Sequence, residues 1–213
     1  MNNNHIKMEE ECVVLEDVLT QNGMIDDLFY YNDVKDRKFF FNEMINDDSV
    51  FNIVRHIIDI NKQDKGKPIE ERKPIMIYLN TVGGDVESGF SMVDTIMNSK
   101  TPVHIINIGD GYSMGFLICL AGHKRYAFKN SRFLLHDGCE YIYDSASKAD
   151  DLKKFTKAIN NRIRDYVLDR TNISSQKYGR NRRKEWYMFA DEAKDLGVID
   201  YIIGDDVDLD EVL

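Results

Sequence analysis

Residues 109–122 read GDGYSMGFLICLAG, a glycine-rich turn carrying a serine into a purely apolar stretch. Ser113 is either a small residue that lets two backbones pack closely or a nucleophile on the first turn of a buried helix. A second turn, Gly83-Gly84, also follows an apolar run and precedes a helical pattern. The first N–H groups of a helix have no intrahelical partner, and the helix dipole adds positive character to them. Such donors suit an oxygen that becomes negative during acyl transfer. If the two preceding strands are neighbours, the N–H groups of Gly84 and Met114 converge on one oxyanion beside Ser113. Taken alone, Gly-Tyr-Ser-Met-Gly matches many unrelated chains.

A serine nucleophile needs a base. Of the five histidines, His5 is in a polar leading stretch, His56 on a helix among charges, His104 inside a strand and His123 just past a helix end. His136 closes the apolar run Phe133-Leu134-Leu135 and opens a loop, where α/β proteins carry catalytic groups. On these residues alone, a structural histidine and a catalytic one both stay open.

The pattern around these positions is strand, turn and helix in repetition. Lys38–Phe41 reads as a short strand, and Asn46-Asp47-Asp48 offers caps to a helix with Val50, Ile53, Val54 and Ile57 on one face. The run from Pro74 to Asn80 is continuously apolar in its middle, as in a strand buried on both faces. Val86, Phe90, Val93 and Met97 follow at helical spacing, then a strand from Val103 to Ile108 with Gly109 to Gly111 as its turn. After Ser113 come the apolar helix to Ala121, the segment Arg125–Phe128, the strand Arg132–Leu135 and a long helix striped by Leu152, Phe155, Ile159, Ile163 and Val167. Glu185–Phe189 is strand-like, Asp191–Leu196 a short helix, and Val198–Ile203 closes the pattern. Such repetition predicts an α/β fold with its chemistry at the carboxyl ends of strands. Residues 1–35 are polar and weakly patterned, and read as irregular.

A chain of 213 residues suits one domain, and 43% hydrophobic residues are enough for a core. The net charge of −9 argues against a general nucleic-acid binder. The local run Arg180-Asn181-Arg182-Arg183-Lys184 is the exception. Three cysteines, Cys12, Cys119 and Cys139, lie too far apart for a CxxC pair, so neither a zinc site nor a disulfide framework is expected. No apolar run approaches the ~18 residues of a membrane span, and the opening residues lack the apolar core of a signal peptide. The expected setting is cytoplasmic.

The ordered set LNTVGGDVESG, GYSMG, KNSRFLLHDG, the long amphipathic helix and WYMFADEAKDLGVID resembles the caseinolytic protease (ClpP) family of serine peptidases. The likeness runs from about Asp36 to Ile203 in order and with nearly constant spacing. It implies a ClpP/crotonase-like α/β fold of stacked βαβ units with a protruding handle helix. It divides the chain into a divergent segment over 1–35, a peptidase domain over 36–205 with its handle near 137–170, and an acidic tail over 206–213. It further implies Ser113 as nucleophile, His136 as general base, and Gly84 and Met114 as the oxyanion hole. No cofactor is implied in the chain itself. The expected partners are further copies of the chain in a heptameric ring, an AAA+ unfoldase that would use the ATP, and unfolded polypeptide substrates.

Three departures from the family pattern stand out. The third catalytic position holds Glu185 where the family has aspartate, one methylene longer, with pairing to nearby arginines as the plainer role. The pair before it, Arg183-Lys184, is doubly cationic and cannot form the family's reciprocal salt bridge between rings, so the basic run reads as a changed interface that could face Glu140 or Asp144. In the family's aromatic docking pocket Tyr78 is retained, but Met76 and Asn98 replace aromatic residues. A weakly active or non-catalytic ring subunit is therefore the alternative. An acyl-CoA enzyme of the crotonase type and a Ser-Lys peptidase also share the superfold, but neither needs the Ser113–His136 pair.

Overall fold

The computed structural model describes residues 25–138 and 146–213, and the chain divides into two compact units, Met1–Phe39 and Phe40–Leu213. In the first unit, helix α1 (Ile25–Asp36) occupies part of the stretch expected to be irregular. Four of its apolar residues, Leu28 to Tyr31, are consecutive and sweep most of its circumference, so no clear helical period shows in the sequence; all four are exposed.

The second unit is built on one sheet. Strands β2 (Ile75–Thr81), β3 (Val103–Tyr112), β4 (Lys124–Phe128) and β7 (Tyr201–Ile203) run parallel in that order. Strand β1 (Lys38–Phe41) precedes β2 in the sheet path, and Phe40 stacks on Tyr78 with ring centroids 4.7 Å apart. Strand β5 (Arg132–Leu135) pairs in parallel with the far end of β3, and β6 (Trp186–Phe189) pairs antiparallel with β5. Ile75, Ile77, Leu79, Val103, Ile105 and Ile106 are fully buried, as the unbroken apolar runs require.

Helix α2 (Asp47–Gln63) starts at a capping box in which Asn46 Oδ1 accepts from Ser49 N–H and Ser49 Oγ accepts from Asn46 N–H. Helix α3 (Val86–Asn98) is capped by Asp85, which accepts from Ser88 N–H. Helix α4 (Met114–Ala121) is buried along its whole length. Its free C-terminal carbonyls are met by Arg170, whose guanidinium donates to Leu120 O and Gly122 O from the end of helix α5 (Ala146–Arg170). Val167 is buried there, and Tyr166 Oη donates to Leu117 O at 3.1 Å. The other end of α5 exposes Leu152 and Phe155, so the apolar stripe is only half used within the chain. Helix α6 (Ser175–Asn181), capped by Ser174, lacks an apolar period and was not legible in the sequence; α7 (Ala190–Asp195) matches the expected short helix. No helix among the described residues is long and apolar enough to cross a membrane.

One expectation needs correction. Gly109 to Gly111 is not a turn but the continuation of β3, where Thr81 pairs with Gly111 past an irregularity after Leu79. The glycines are there for close approach: a Cβ on Gly109 would meet Asn80 Oδ1 at 2.3 Å. That same oxygen accepts Asp110 N–H at 2.7 Å and stitches the bulge together. The turn is therefore confined to Ser113.

Candidate active site

Because β3 runs on to Tyr112, it ends beside β5, with Tyr112 opposite Leu134. Ser113 N–H donates to Leu134 O at 2.9 Å, two residues before His136. Ser113 itself has φ 55° and ψ −116°, a conformation rare for a residue with a side chain. The sharp reversal turns an extended strand into α4 within one residue. The amide of Met114, first in the helix, has no intrahelical acceptor.

The Gly83-Gly84 turn abuts this reversal. A Cβ on Gly83 would lie 2.8 Å from Ser113 Cβ and 3.2 Å from Met114 N, so only glycine lets the two turns touch. Backbone bonding decides which amides are free. Gly83 N–H is taken by Thr81 Oγ1 at 3.1 Å. Ile45 donates to Gly83 O at 2.9 Å and accepts from Asp85 N–H at 2.8 Å, so Gly84 directs its own N–H away from Ile45. Gly84 and Met114 are thus the residues of each turn whose amides are not spent on these contacts.

His136 follows β5, and the antiparallel register sets Leu135 opposite Trp186. One step further places His136 opposite Glu185, where facing residues approach most closely. His136 Nδ1 lies 3.0 Å from Glu185 Oε1. The extra methylene of glutamate is accommodated with an ordinary hydrogen-bond length. His136 is mostly covered while Glu185 remains 58% exposed. Among the described residues Glu185 pairs with the histidine and with no arginine. The nearby Arg182 instead lies 3.7 Å from Asp137 Oδ1, and its carbonyl accepts Asp137 N–H at 2.6 Å. Glu140 and Asp144, the acids expected to face the basic run, lie outside the described residues, as does Cys139.

The other described histidines sit in structural settings. His104, in mid-strand, is driven by burial down to about 4, and the Lys124 charge adds to that. His123 Nδ1 accepts Val103 N–H at 3.0 Å, and burial lowers its pKa as well. Cys119 is fully buried in α4, with its thiol pushed up to about 12 by burial, so it stays a thiol in the core.

Two residues that position the site escaped the sequence reading. Thr81 Oγ1 donates to Glu43 O at 2.7 Å while holding Gly83 N–H, which fixes the turn. Asn80 clamps the β3 bulge through Asp110. A threonine two places before a glycine is a known turn signal and could have flagged the first.

Known proteins resemble this chain over most of its length. The family model described as Clp protease matches residues 23–206. The chain is 29% identical over 160 residues to the ATP-dependent Clp protease proteolytic subunit 2 of Bacillus licheniformis, covering 74% of this chain and 81% of that protein. It is also 29% identical over 139 residues to the protein of the same name from Treponema pallidum, covering 64% of this chain and 70% of that one. The family match takes in the Gly83-Gly84 turn, the reversal at Ser113, the strand-end histidine and the carboxylate just before β6, and on that span the chain belongs to the Clp protease family.

Proposed function

We propose that this chain is the proteolytic subunit of a serine endopeptidase that hydrolyses peptide bonds of unfolded polypeptides. The observation that carries the reading is the 3.0 Å contact of His136 with Glu185, on the strand next to the one that ends at Ser113. Glu185 accepts the Nδ1–H of His136 and so holds the tautomer whose Nε2 is free to take a proton. His136 removes the Ser113 proton as Oγ attacks the scissile carbonyl. The N–H groups of Gly84 and Met114 stabilise the oxyanion. His136 then gives its proton to the leaving amine, and water repeats the cycle on the acyl-enzyme. The residues that act are all in this chain, and ATP would be used by a partner unfoldase.

The relatives named above are proteolytic subunits of an ATP-dependent protease. By that likeness this chain works in the cytoplasm as a homo-oligomeric ring, heptameric in the family pattern, that encloses the site. The exposed Leu152 and Phe155 on α5 supply apolar surface for a neighbouring copy. Reaction of the purified protein with a fluorophosphonate probe tests the chemistry: labelling is expected at Ser113 and lost in Ser113→Ala. Equal labelling of both proteins would sink the reading. Native mass of the same sample reports the ring.

A further inference from the structure

A cleft of about 520 Å³ opens beside the site, and Gly84 forms part of its wall. Its other walls come from the start of α3, the residues just after His136, and one face of α5. Val86, Ile159 and Ile163 supply apolar surface, with the two isoleucines one turn apart on α5. The charged lining is unbalanced. Among the described residues of its lining, Asp85, Glu87 and Asp137 face the single cation Arg182. Asp85 is committed to α3, since its carboxylate accepts from both Ser88 N–H and Ser88 Oγ at 2.7 Å. Arg182 stands 3.7 Å from Asp137 and offsets it in part. Glu87 is exposed and forms no side-chain ion pair among the described residues.

Resting on the serine-peptidase reading, we propose that this cleft receives the side chain of the residue whose carbonyl is attacked, and that it selects lysine or arginine there. If Gly84 N–H holds the oxyanion, the acyl residue's Cα is one bond from the held carbonyl carbon. Its side chain is then the first group to meet a cavity walled by Gly84. A long aliphatic stem packs on Val86, Ile159 and Ile163 while its cationic tip reaches Glu87 and the rim carboxylate of Asp137. An uncharged chain of equal length gains only the walls, and an acidic one is repelled.

Peptidyl diphenyl phosphonates that differ only in the terminal side chain test this without requiring turnover. Ser113 Oγ displaces one phenoxide from phosphorus, and the rate reports entry into the cleft. The lysine probe is expected to label at least about fivefold faster than its norleucine counterpart, and the glutamate probe slowest. Moving the lysine two residues upstream, with norleucine terminal, is expected to abolish the gain, which separates the cleft from attraction by the chain's overall −9 charge. Glu87→Gln is expected to bring the lysine-to-norleucine ratio toward one, and added salt to shrink it. Norleucine equal to or faster than lysine overturns the proposal while leaving the peptidase intact. A lysine preference untouched by both Glu87→Gln and Asp137→Asn overturns it equally. Failure of every probe to label Ser113 overturns the peptidase reading and the subsite with it.

Discussion

Glu185 meets His136 because the β5–β6 register sets them face to face, although they are 49 residues apart in the chain. A carboxylate in that position keeps the imidazole in one tautomer and stabilises its cation. Glu185→Gln is therefore expected to lower kcat/KM on a fluorogenic peptide by about 100-fold, less than for a fully buried triad acid because Glu185 is 58% exposed. Glu185→Asp withdraws the carboxylate by one methylene on an unchanged strand. It should fall between the two, since ~1 Å of misplacement can cost ~100-fold. An aspartate variant faster than the parent would show that the strands, not the side chain, set the reach. The neighbours of Ser113 and His136, a glycine-rich stretch and a strand end, made them candidates, and the family resemblance decided between the open readings. Glu185 was not legible even as a candidate, since nothing local in Lys184-Glu185-Trp186 says what lies across the sheet; only the family resemblance pointed to it.

At the scale of elements, apolar runs and helical stripes made most strands and helices legible. What they could not show was where β3 ends. Gly109 and Gly111 read as a turn because glycine usually marks one, yet here they admit Asn80 and Phe133 against an extended strand. That overshoot carries β3 to β5 and so brings Ser113 toward His136. The same strand holds His104, whose pKa falls to about 4 on burial. The folded chain then binds fewer protons than the unfolded chain between that value and the ordinary histidine range near 6.5. Stability is expected to be fully present above about pH 6.5 and to be lost as pH falls toward 4. His123, lowered by burial, adds in the same direction. Thermal melting followed from pH 7 to pH 4 checks this, and His104→Gln should flatten the profile. An unchanged slope would assign the acid sensitivity to other groups.

For the molecule as a whole, the last residues belong to the body of the second unit, although their composition reads as an acidic tail. A short 3₁₀ turn, Leu209–Val212, brings Val212 fully into a cluster with Met76, Tyr78, Ile106, Tyr126 and Ile203. Tyr78 Oη donates to Val212 O at 2.5 Å. The turn thus covers the aromatic patch in which Tyr78 was singled out, while Asn98, named with it, ends α3 elsewhere. Five acidic residues between Asp205 and Glu211 masked two valines whose burial no local period announces. Truncation after Asp210 removes a buried valine and the acceptor of a buried hydroxyl. The expected loss is about 2–5 kcal/mol, from the apolar area exposed and the phenol left unpaired. Denaturant unfolding at fixed protein concentration measures it, and a midpoint within error of the full chain would refute the docking.

The reversal at Ser113 also has a thermodynamic cost. A side chain at φ 55° and ψ −116° costs about 1–3 kcal/mol, and glycine would adopt the same turn without that strain. Ser113→Gly is therefore expected to melt a few degrees above the parent, despite the more flexible unfolded chain, whereas Ser113→Ala should not. A protein shaped for stability alone would have glycine there, so on the proposed peptidase reading the serine is where this fold gives up stability for reactivity.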